Sequence, residues 1–129
     1  MRALIVAASL LIATPSLATE WIYCTSADET ASVGLLVGGA DFASVVAITL
    51  NAGDSAWASS ETYGPGQPIA VEQAYIGDNQ IIVDLSDLDR NQLIAELRAY
   101  TASEGNDYVQ GGVLRVPGKG AWAVSCEGP

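Results

Sequence analysis

Carboxylates dominate the reactive side chains of this 129-residue sequence: fifteen Asp and Glu stand beside five Lys and Arg, two cysteines and no histidine. The lack of imidazole excludes Ser–His and Cys–His nucleophile systems and removes the commonest metal-ligating side chain. Lys119, the only lysine, lies in the run Pro117-Gly118-Lys119-Gly120. That is a solvated turn, not the apolar pocket a catalytic amine requires. Paired carboxylates can hydrolyse glycosides, but so many acids in a small domain form pairs by chance. No enzymatic activity is expected.

The densest acidic cluster is Asp84, Asp87 and Asp89, with Ser86 among them. Oxygen ligands of this kind are calcium chemistry. The spacing departs from an EF-hand loop, which needs alternating acids, then a glycine and a distal glutamate. Carboxylates that favour a helix dipole and cap free amides account for the cluster better. No metal and no cofactor are expected. Trp57 and Tyr63, the latter in the rigid run Tyr63-Gly64-Pro65-Gly66, form the candidate binding surface, because loop aromatics anchor partners. In a small domain the competing reading of such residues is core packing.

The net charge of −10 at pH 7 repels nucleic acid and anionic lipid headgroups, which call for clustered Lys and Arg. A cationic protein is the partner this charge would attract, although acidity also serves solubility. Met1-Arg2, an apolar run from Ala3 to Ala13, Pro15, and small residues at Ser16 and Ala18 read as an export signal cleaved after Ala18. The run is too short to span a bilayer. Residues 1–18 are therefore expected to be a signal peptide and residues 19–129 a single β-rich domain, periplasmic or secreted, with no membrane attachment after cleavage. In an oxidising compartment Cys24 and Cys126 are expected to pair. Closing a loop of about 100 residues adds roughly 4–5 kcal/mol on the chain-entropy model.

The elements that must position these groups are mostly strands. Short segments rich in β-branched and aromatic residues alternate with Gly, Asp, Asn and Pro. Glu20–Thr25 places Ile22 and Cys24 on one face and Trp21 and Tyr23 on the other. Strands follow at Ser32–Val37, at Ala43–Asn51 and around Trp57, and Glu61–Pro68 reads as a loop. Ile69–Ile76 and Gln80–Leu85 flank Gly77-Asp78-Asn79 as a hairpin. One helix is expected near residues 87–102: Ser86 and Asp89 resemble a capping box, and Leu93, Leu97 and Tyr100 recur at helical spacing. Strands at Tyr108–Val116 and Ala121–Cys126 close the chain, the last with Trp122, Val124 and Cys126 inward. The expected fold is an antiparallel β-sandwich or open β-barrel of about seven or eight strands with one helix, closed by a terminal disulfide. The function this implies is an exported non-catalytic binding or inhibitor module, for instance against a basic enzyme such as a lysozyme. The alternatives are a carboxylate-dependent hydrolase and a structural component of an envelope assembly.

Overall fold

The computed structural model describes residues 19–39 and 42–128. The expected signal peptide, residues 1–18, lies outside them. Ten strands form one sheet: β1 (Glu20–Ser26), β2 (Ala31–Gly38), β3 (Ser44–Ala52), β4 (Ser55–Ala58), β5 (Gln67–Pro68), β6 (Ala70–Ile76), β7 (Gln80–Ser86), β8 (Leu93–Glu104), β9 (Asp107–Val116) and β10 (Gly120–Glu127). Their spatial order is β5-β4-β3-β2-β1-β10-β9-β8-β7-β6. Two antiparallel meanders thus meet where the first strand pairs with the last; only the short β4–β5 pair is parallel. The edges approach each other: the Ile69 amide donates to the Ala58 carbonyl at 3.2 Å, and β6 packs on β3. The result is a nearly closed barrel-like sheet.

Strand alternation explains the core. Cys24 and Cys126 are direct cross-strand partners in β1 and β10, and they form the expected disulfide. Register continues this inward row from Cys24 to Val33, Leu50 and Trp57. Leu35, Ile48, Leu97 and Leu114 fill the same interior and are at most 2% exposed. Each such side chain contributes about 1.5–3 kcal/mol through burial. Ile22 and Val124 are buried beside the disulfide, and Trp122 packs partly buried against the core. Val46 breaks the phase of β3: the register skips it between Leu36 and Val37, and it stands 54% exposed while Ile48 and Leu50 are buried. A bulge rotates one residue out of the alternation.

Two expectations are corrected. Among the described residues the sheet has ten strands, because β5 emerges from the expected loop Glu61–Pro68 and β8 from the expected helix, while the strand expected around Trp57 is β4. The predicted helix at 87–102 is β8 and the turn before it. Ala95, Leu97 and Ala99 are buried, whereas Tyr100 is 61% exposed and Glu96 and Arg98 are only partly covered. Leu93 and Leu97, four residues apart, satisfy both the helical and the two-residue period, and alanines at inward positions imitate a helix former. Ser86 is no helix cap: its hydroxyl lies within hydrogen-bond distance of a Glu72 carboxylate oxygen and of the Asp87 carbonyl, and its one proton goes to either of them. Pairing with β7 over Leu93–Tyr100 and with β9 over Glu96–Glu104 gives this segment ladder partners along its length, and tertiary context overrides propensity.

Candidate functional site

With Cys24 facing inward, alternation sends Trp21, Tyr23 and Thr25 outward along β1. The Trp21 and Tyr23 rings lie nearly parallel, 12° apart in plane and 5.5 Å between centroids. Gly34 faces Tyr23 across the β1–β2 ladder. A Cβ at residue 34 would stand 2.9 Å from Tyr23 Cε1 and 2.6 Å from Thr49 Oγ1, so the glycine makes room for the ring against the sheet.

Tyr63 joins them from the loop 59–66. The Ile48 amide donates to Ser59 Oγ at 3.0 Å, and the Tyr63 amide donates to the Ser60 carbonyl at 3.1 Å, which together curl the loop. Gly66 has φ +131° and crosses directly over the Ala56 carbonyl, where a side chain would collide. The outward residues of β3 and β4 beneath the loop are small: Thr49, Asn51, Ala56 and Ala58. The loop therefore folds back over the wall, and the Tyr63 ring meets Trp21 edge-on at 6.0 Å and 68°. A cleft of about 260 Å³ lies among Trp21, Tyr23, Asn51, Tyr63 and Pro65. Tyr23 and Tyr63 remain 49% and 41% exposed.

Tyr23 also walls a second cleft of about 490 Å³, bordered by Thr25, Glu29, Ser125 and Glu127. Glu127 is the cross-strand partner of Tyr23, and Ser125 that of Thr25. The β1–β2 turn carries Glu29 at φ +60°, an uncommon region for a side chain of this kind. A tight hydrogen-bond set fixes that turn. The Glu29 amide donates to the Ser26 carbonyl at 2.9 Å. Asp28 Oδ1 accepts from the Ser26 hydroxyl at 2.7 Å and from the Thr30 amide and hydroxyl at 3.1 and 2.8 Å. Those bonds, the Ser26 hydroxyl foremost, hold the Asp28 carboxyl below the usual aspartate range. Ser26, itself buried, accepts in turn from the Ala31 amide at 3.1 Å.

Charge divides the molecule. Among the described residues the cations are Arg90, Arg98, Arg115 and Lys119, all between β7 and β10. Arg115 is 2.6 Å from Glu96, Arg98 is 2.9 Å from Asp84, and Arg90 is 4.0 Å from Glu72. The Arg98–Asp84 contact is an approach of charges off the hydrogen-bond direction, since Asp84 Oδ1 accepts no bond. Strands β1–β4, with their loops, carry Glu20, Asp28, Glu29, Asp54 and Glu61 and no cation among the described residues.

The candidates from sequence are thus dispersed. Trp57 borders the aromatic cleft but is buried in the core row, while Tyr63 is on the outside. Asp84 lies on β7 beside Arg98; Asp87 accepts the Asn91 and Gln92 amides at 2.8 and 3.2 Å; Asp89 is exposed in the following turn. Among the described residues no three metal-ligating side chains are gathered in one place. Trp21 and Tyr23 were absent from the expected surface, although their signal was present: they occupy the phase opposite Cys24, which must point inward to reach Cys126. No family model, curated protein or solved structure matches this chain.

Proposed function

We propose that this chain is a small exported binding module that grips a cationic protein through Trp21, Tyr23 and Tyr63 without catalysing a reaction on it. The aromatic cluster itself carries the proposal: two parallel rings and a third edge-on stand outside a rigid barrel wall that holds acids and no described cation. Rigid aromatic side chains give large contact area at low entropic cost and recur at binding hot spots. The uncompensated negative charge speeds encounter with basic partners and repels acidic ones. The disulfide is consistent with an oxidising compartment, and the periplasm or the extracellular medium is the location that accompanies this role. A basic exported enzyme such as a lysozyme suits it.

Binding of the mature chain to lysozyme, to a second basic protein and to a neutral one, across a salt series, tests the proposal. The expected result is selective binding of a basic protein that weakens steeply with salt, with Trp21→Ala or Tyr63→Ala lowering affinity about thirtyfold. Salt-insensitive binding, equal affinity in both variants, or no association with either basic protein overturns it. Hydrolysis by a carboxylate pair needs one acid shielded enough to keep its proton. Glu29 and Glu127 border one cleft, but both are exposed, which favours binding over proton transfer. A structural role in an envelope assembly has separate support from Tyr100, Tyr108, Val109 and Val113, all exposed on β8 and β9. Sedimentation that stays monomeric at every concentration would count against self-assembly through that surface.

A further inference from the structure

We propose that the cleft between β1, β10 and the β1–β2 turn receives an arginine side chain of the protein partner, its guanidinium lying against the Tyr23 ring and shared between Glu29 and Glu127. This assignment rests on the binding module proposed above and names the chemical group it recognises.

The cleft has a preformed aromatic wall, since Gly34 leaves room for the Tyr23 ring against the sheet and Tyr23 is 49% exposed. A planar guanidinium stacks on such a ring and directs its donors sideways, toward carboxylates at the ring's edge. Glu127 stands at that edge by register, as the cross-strand partner of Tyr23. Glu29 approaches from the turn, and the hydroxyls of Thr25 and Ser125 lie along the cleft. Among the described residues neither Glu29 nor Glu127 enters an ion pair, whereas Arg98 and Arg115, on the nearby β8 and β9, already have acids. The cleft's charge therefore lacks an internal partner. A lysine ammonium fits less well, because it is a compact, strongly hydrated point charge that cannot use the flat wall and both carboxylates together.

Glu29 also makes the test clean. Its left-handed backbone suits glycine better than glutamate, so Glu29→Gly removes the carboxylate while preserving or raising thermal stability. Isotope-labelled mature chain is titrated with N-acetylarginine amide and, separately, with N-acetyllysine amide, and amide shifts are followed by NMR. Expected are shifts centred on Tyr23, Glu29, Ser125 and Glu127, with arginine about fivefold tighter than lysine, and a loss of about tenfold in Glu29→Gly and in Glu127→Gln. Equal affinity for the two ligands, shifts centred on Trp21 and Tyr63 or on β8–β9, or affinities unchanged by both substitutions overturn the assignment. If those results come with basic-protein binding that still depends on Trp21 and Tyr63, the pocket falls and the binding module stands. If arginine binds as expected while Trp21→Ala and Tyr63→Ala leave protein binding intact, the pocket stands and the aromatic grip falls.

Discussion

On β7–β9 two outward ion pairs form, Glu96 with its cross-strand neighbour Arg115 and Asp84 with Arg98, beside the unpaired Glu104 and Asp107, while on β1–β4 acids stand with no described cation and the Trp21, Tyr23 and Tyr63 rings cluster against one another. Both walls share one alternating pattern and one core, so fold stability does not dictate the contrast. Cross-strand ion pairs give a wall a modest internal stabilisation and leave little for a partner. Unpaired acids beside exposed rings do the opposite. The two halves thus differ in how far their acids are paired, and the proposed recognition through Trp21, Tyr23 and Tyr63 draws on that difference.

The largest test acts at the seam joining the walls. Replacing both cysteines by alanine is expected to cost about 4–5 kcal/mol on the chain-entropy model, with the remaining unfolding in one cooperative transition. Two separated transitions, followed by denaturant titration of tryptophan fluorescence and far-ultraviolet dichroism, would make the walls independent units. Next come matched core truncations: Leu50→Ala on β3 and Leu97→Ala on β8 should each cost about 2–5 kcal/mol, because both side chains lie in one interior. A cost confined to one wall would break the shared core.

Smaller effects sharpen the contrast. A double-mutant cycle on Glu96 and Arg115 should give a coupling of about 0.5–1 kcal/mol in stability and leave basic-protein binding unchanged. Loss of binding there would extend the recognition face to the second wall. The smallest effect is at Asp28. Its folded-state pKa is depressed, so its contribution to stability is present above the unfolded aspartate value and is lost as pH falls through the folded one. Acid titrations should therefore show a shallower loss of stability in Asp28→Asn than in the parent below about pH 4. Identical acid limbs would show that the turn's hydrogen bonds add nothing.

Much of the architecture was legible in the residues. Cys24 and Cys126 fixed which faces of β1 and β10 point inward, and Gly77-Asp78-Asn79 marked the β6–β7 hairpin correctly. Residues 87–102 misled because Leu93 and Leu97 suit two periods at once and the inward alanines carry helical propensity. The alternation of Ala95, Leu97 and Ala99 with Glu96, Arg98 and Tyr100 was the contrary signal. The site was harder to see. Trp57 and Tyr63 are close in sequence, but one residue pairs inward with Leu50 while the other rides a loop that Gly66 bends outward. That the loop would bring Tyr63 to Trp21, some forty positions earlier, depends on strand order, which local patterns do not encode.

Gly128 lies against the backbone of Trp21 and Ile22, so the far end of the described chain rests beside the aromatic rings. An affinity tag or fusion partner attached at either end would crowd the surface it was meant to report on. The β9–β10 turn at Gly118 and Lys119 lies at the other end of β10, where Gly120 pairs with Val116, whereas Tyr23 pairs with Glu127. A circularly permuted chain opened there, with residues 19 and 128 bridged by a short linker, would carry its handle away from the rings and leave them free for measurement.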